Sequence, residues 1–205
     1  AINAQVWSKS FSAGGYDINN NFLGGPEVLQ LVSHKSLLFS SVGYWEDENN
    51  IWYGGSNSNI GWGQINRLDH PSAKWTQDLF LGNNFLRPEI LKQIIFTKDQ
   101  FGNPLPSADT VLIAAGYSPN YITNIVTIKS FVRNDLNGTW SESQITQGNF
   151  PAGENYSIRD IQIYTDQQSG LEYVFATVGT QGIYKGKYNP SVQGKIDWIN
   201  APEYG

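Results

Sequence analysis

Val6-Trp7-Ser8-Lys9-Ser10-Phe11 is the first of four related stretches whose spacing decides how the chain is read. The others are Lys74-Trp75-Thr76-Gln77-Asp78-Leu79-Phe80, Thr139-Trp140-Ser141-Glu142-Ser143-Gln144-Ile145 and Asp197-Trp198-Ile199-Asn200. Successive tryptophans stand 68, 65 and 58 residues apart. Each stretch reads as a short strand built around a tryptophan. Recurrence at nearly even spacing is the mark of a repeated supersecondary unit.

Three further features recur between the tryptophans in the same order. An Asn-Phe pair comes first: Asn21-Phe22, Asn84-Phe85 and Asn149-Phe150. An apolar strand follows at 27–32, 89–96 and 160–164, then a strand ending in glycine at 38–43, 112–116 and 174–179. A more polar strand at 63–68, 126–132 and 182–188 leads back to the tryptophan. Each unit is thus four short strands rich in β-branched and aromatic residues, bounded by Gly, Pro, Asn and Asp turns. We label them a to d, with d carrying the tryptophan.

An evenly repeated four-stranded unit is the sequence cue for a propeller blade, and over nearly its whole length the chain resembles the β-propeller superfamily. The resemblance implies an all-β fold with three complete blades plus an extra outer strand at 6–11, a partial or oligomer-closed propeller. The repeat units run over about residues 12–80, 81–146 and 147–205 of a single domain. The WD40 repeat is shorter, at about 40–45 residues, and its Gly-His and Trp-Asp signature is absent. Asp135-Leu136-Asn137-Gly138-Thr139-Trp140 resembles the Asp-box of sialidase-type propellers with a different Gly-to-Trp spacing, and no sialidase activity is carried over. The four tryptophans are read as packing residues that fill the gap between blades. The alternative is a set of sugar-stacking platforms.

Propellers have about four to eight blades, so three do not close a ring. Three arrangements are open: part of a longer propeller, two three-bladed copies joined, or an extra blade within the long first unit. A further chain or segment is expected to complete the ring.

Composition excludes several classes. The net charge is −5 and no Lys/Arg run exists, so the basic stripe of a nucleic-acid binder is missing. No apolar run approaches the ~20 residues of a membrane-spanning helix. With no cysteine, disulfides, thiolate catalysis and Cys-ligated zinc are ruled out. The two sequons Asn137-Gly138-Thr139 and Asn155-Tyr156-Ser157, with a first residue that is not methionine, favour a processed, extracellular or secreted product.

Function is sought on the rim where d-to-a and b-to-c loops meet; the resemblance to propellers implies that ligands bind there. Aligning the a strands puts Glu27, Glu89 and Asp160 at equivalent positions where strand a begins, expected near the channel mouth with Arg87 and Arg159 close by. Such carboxylates hold Ca²⁺ through oxygen ligands, serve acid–base chemistry, or pair with arginine; no cofactor is assigned. The first b-to-c connection, 44–62, combines three tryptophans and two tyrosines with Asp, Glu, Asn and Ser. Tyr44, Trp45, Asp47, Trp52 and Tyr53, with Tyr117 and Tyr121 of the second connection, are the candidate ligand-binding residues.

Catalytic signatures are sparse. The two histidines, His34 and His70, fall on the opposite rim, and neither G-x-S-x-G nor HExxH occurs. An enzyme would have to be carboxylate-based, with Glu27, Glu89, Asp160, Asp47 and Glu48 as candidates. The leading expectation is a secreted binding module that recognises glycans through its aromatic and Asn-rich loops. A carboxylate-dependent glycan-cleaving enzyme and a structural or protein-interaction segment are the alternatives.

Overall fold

The computed structural model describes residues 8–44, 62–83, 85–120, 122–149 and 156–204. Trp7, Trp45, Asp47, Glu48, Trp52, Tyr53 and Tyr121 lie outside them. The described residues form three antiparallel four-stranded sheets and one two-stranded hairpin.

Blade I is β3 (Glu27–His34), β4 (Leu37–Gly43), β5 (Gln64–Leu68) and β6 (Thr76–Phe80), paired in that order. Blade II is β7 (Ile90–Lys98), β8 (Pro104–Asn120), β9 (Ile125–Asn134) and β10 (Thr139–Gly148). Blade III is β11 (Ile158–Thr165), β12 (Glu172–Val178), β13 (Gly182–Tyr188) and β14 (Ile196–Tyr204). The preceding hairpin, β1 (Gly15–Tyr16) and β2 (Phe22–Leu23), lies against the outer face of blade I, where Leu23 packs with Leu68 and Trp75. Each meander is a blade with the expected a-to-d order, and the fold is of the β-propeller type.

Period-two alternation explains the packing. Along β12 the sequence Glu-Tyr-Val-Phe-Ala-Thr-Val buries every second residue, so Val174, Ala176 and Val178 meet Ile113, Ala115 and Ile128 of blade II. Blades I and II close over Phe39, Ile65, Leu91, Leu112 and Phe131. Blade II is therefore covered on both faces by other blades.

Two expectations are corrected. Ser8–Phe11 carries no strand, although Ser10 accepts the Trp75 indole N–H at 3.4 Å. The second b-to-c loop, expected at 117–124, is mostly strand: Tyr117, Ser118, Pro119 and Asn120 pair with Ile128, Thr127, Val126 and Ile125. β8 also begins early, at Pro104. Its first residues run past the end of β9, where the missing proline N–H at 104 and 106 costs no ladder bond on that side.

The packing role of the repeat tryptophans holds at the described positions. Trp140 donates its indole N–H to Asp78 Oδ2 of blade I at 2.8 Å, and Trp198 donates to Ser130 Oγ of blade II at 3.0 Å. Each reaches back to the preceding unit.

Candidate functional site

Strand a of each blade faces its neighbour, β3 beside β7 and β7 beside β11. Their starts meet at one point. Glu27 opens β3 opposite Gly43. Glu89 precedes β7 and donates its backbone N–H to Ala115 O at 2.8 Å. Between them lies Arg87, whose Nη2 donates to Glu89 Oε1 at 3.2 Å while Nη1 stands 3.7 Å from Glu27 Oε2.

Three glycines make room for Arg87. A Cβ on Gly43 would lie 2.2 Å from Arg87 Cβ, and one on Gly63 would lie 2.8 Å from Arg87 Cα. A Cβ on Gly116 would stand 3.0 Å from the Arg87 carbonyl oxygen. Real contacts of this kind are not tolerated below about van der Waals distance. The segment 85–87 is also stapled to blade I, with Tyr44 N–H donating to Leu86 O at 3.1 Å and Gly63 N–H to Phe85 O at 2.6 Å. Tyr44, Trp62 and Leu86 form a small buried cluster. Tyr44 and Gly63 are thereby held within two residues of Arg87.

Bulges shape the rest. The β3 register shifts between Val28 and Gln30, and that of β11 shifts between Ile158 and Asp160. The extra residues are Leu29 and Arg159, and a bulge re-aims a side chain at such a position. Both line a cleft of about 180 Å³ together with Arg87, Glu89 and Ile158. That is below the ~300–1,000 Å³ of sites for drug-sized ligands, so the cleft suits one small unit.

Glu89 is the group most altered by this setting. Its side chain is only 6% exposed, and Oε2 is buried with no hydrogen-bond partner among the described residues. Burial pushes its carboxyl above the ordinary carboxylate range, against the opposing pull of Arg87, Ser157 and Arg159.

The expected grouping of Asp160 with Glu27 and Glu89 is corrected. Glu27 pairs with Gly43, and Glu89 lies one step before Ile90, which pairs with Ala115. The same count in blade III, where Ile158 pairs with Val178, gives Ser157. Asp160 turns to Lys92, whose Nζ donates to its Oδ1 at 3.0 Å. Burial raises the Asp160 pKa, but Lys92 and Gln162 outweigh it and hold the carboxyl below its usual value. With Glu27 and Glu89 on Arg87 and Asp160 on Lys92, these acids do not converge on a point that would hold Ca²⁺, and no metal-binding group of three acids or histidines occurs among the described residues.

Of the aromatic candidates, Tyr44 and Tyr117 are described. Both are buried, at 4% and 5% exposure, Tyr44 against Trp62 and Leu86 and Tyr117 edge-on to Tyr156 at 5.2 Å. Their rings pack the walls and do not present a stacking face. His34 ends β3 and is buried between blades, with Nδ1 2.9 Å from Gln93 Oε1 and Nε2 2.9 Å from Asp135 Oδ2. Ser157, Leu29 and Ile158 were not anticipated as site residues. Aligning the units on Gly43, Gly116 and Gly179 would have found Ser157.

No family model matches the chain, and no curated protein does. Among solved structures it is similar to the alpha-L-arabinofuranosidase Arb93A from Fusarium graminearum in complex with an iminosugar inhibitor. The identity is 13% and the TM-score 0.46, over 88% of this chain and 51% of that one. A mutant of the same enzyme, also with an iminosugar inhibitor, gives 12% and 0.45 over the same shares. The chain spans about half the length of these structures. At this identity no activity passes from them to this chain. Among the described residues no helix is long and apolar enough to cross a membrane.

Proposed function

We propose that this chain is a secreted glycan-recognition module whose site is the cleft between the first strands of its blades. The observation that carries this reading is Glu89, a carboxylate fixed by Arg87 through one oxygen, with its other oxygen buried and accepting no hydrogen bond among the described residues. A buried acceptor without a donor costs about 1–3 kcal/mol. A ligand hydroxyl inserted into the cleft relieves that cost. Sugars supply hydroxyl donors in a fixed array and an apolar C–H face, which Leu29 and Ile158 complement. Trp45, Trp52 and Tyr53, between Tyr44 and Trp62 in the sequence, are proposed as stacking groups, with Asp47 and Tyr121 as further contacts.

A second reading is favoured by the raised pKa of Glu89. A carboxyl whose proton is held more tightly by burial is suited to act as a general acid, as in glycoside hydrolysis. Glu27, held on the other side of Arg87, is then the second carboxylate.

The test is a glycan array probed with the purified chain, followed by incubation of each hit with the protein and assay for new reducing ends. Binding without release supports the module. Release that Glu89→Gln abolishes while binding persists replaces it with the enzyme. A blank array from a folded sample rejects both, and leaves a structural segment that docks other chains.

A further inference from the structure

Arg159 stands apart from the other arginines. Arg67 is paired with Asp69 and Asp78, Arg133 with Asp78 and Asp135, and Arg87 with Glu27 and Glu89. Arg159 makes no ion pair at contact distance and no side-chain hydrogen bond among the described residues; it lines the cleft, where its charge acts on Glu89 only through space. Its sequence neighbour Asp160 does not neutralise it, because that carboxylate is committed to Lys92 across the blade boundary.

We propose that the sugar bound in the cleft is acidic, and that Arg159 pairs with its carboxylate. This rests on the glycan reading above and names its ligand class. A guanidinium presents two parallel N–H donors that match the two oxygens of a carboxylate, and such charge-assisted pairs are roughly twice as strong as neutral ones. Arg87 cannot fill this role, since its charge is shared between two carboxylates. The remaining lining divides the ligand's other surfaces. Leu29 and Ile158 meet ring C–H groups, and the buried Glu89 Oε2 accepts from a hydroxyl. The chain as a whole is acidic, at −5. An acidic ligand is therefore not drawn by the overall field, and selectivity for it has to come from Arg159 itself.

The experiment compares oligosaccharides ending in glucuronic or galacturonic acid with their glucose- and galactose-terminated counterparts, by isothermal titration. A third arm uses the same neutral sugars carrying a sulfate ester. The uronic-acid ligands are expected to bind about ten- to a hundredfold more tightly than the neutral ones, the range of a charged hydrogen-bonded pair. Arg159→Gln is expected to erase that difference, while Arg159→Lys retains part of it. Because Arg159 is exposed, the substitutions do not threaten folding. Equal affinity for acidic and neutral ligands overturns the inference and leaves the glycan reading standing. So does a preference that survives Arg159→Gln, or one for sulfate esters alone. Failure of every glycan to bind overturns both.

Discussion

Asp78 shows how single residues join the blades. Its carboxylate, 2% exposed, accepts from Arg67 at 2.6 Å, from Arg133 at 2.7 and 3.2 Å, and from the Trp140 indole at 2.8 Å. A buried acid is tolerated when its lone pairs are filled in this way. Asp135 extends the network, receiving Arg133, His34 and Lys35. Burial raises its pKa, but Lys35, His34 and Arg133 outweigh it and bring the carboxyl to about 2. Its folded value thus lies below its ordinary 3.8. The stabilisation is complete above that value and is lost as the pH falls toward the folded one. Urea titrations of the native chain and Asp135→Asn should show a gap on the order of 1 kcal/mol at neutral pH, after allowance for solvent screening. The gap should close as the pH falls toward about 2. A gap independent of pH would remove the ion pairs as its cause.

At the scale of elements, the site is built by glycines and bulges more than by the residues that line it. Gly43→Ala should cost about 1–3 kcal/mol, the usual penalty of overpacking, and should displace Arg87. Glycan affinity should fall with it. Gly15→Ala, whose added carbon meets nothing within 4 Å, should be neutral in both. If Gly43→Ala binds glycans as the native chain does, Arg87 is not held as described. These elements also show what the sequence discloses. The a-to-d order was legible because strands of alternating apolar residues lie between strong turn formers. Asp99-Gln100-Phe101-Gly102-Asn103, for instance, closes on itself through Asp99 Oδ1, which accepts from Phe101 and Asn103 N–H. Asp17 does the same from Asn19 and Asn21, and its Oδ2 also takes the Gln77 N–H of β6, which ties the hairpin to blade I. The bulges were not legible, because an extra residue in one strand has no compositional signature. Matching Asp160 to Glu27 and Glu89 by charge therefore skipped past Ser157. Tyr117 differs from its expected place for a related reason: Gly116 has the look of a strand end, yet the strand continues to Asn120.

For the whole molecule, three blades leave unequal environments. Blade II is enclosed on both faces, whereas the outer face of blade III carries Tyr164, Tyr173 and Phe175, with Lys185 and Lys187 over the Tyr173 ring. Such an open sheet face fits an incomplete propeller. Backbone protection follows packing, so hydrogen exchange should be slowest in β8 and β9 and faster in β3 and β14. Equal protection in all three blades would mean that the outer faces are covered in solution, as in a closed ring.

The account rests on the cleft being a glycan site, and the most direct measurement is a glycan array read with the native chain beside Arg87→Ala, both shown folded by circular dichroism. A defined set of hits is expected for the native chain, and their loss in the variant, because Arg87 fixes Glu89 at the cleft. An identical set of hits from both proteins would place the glycan elsewhere and contradict it.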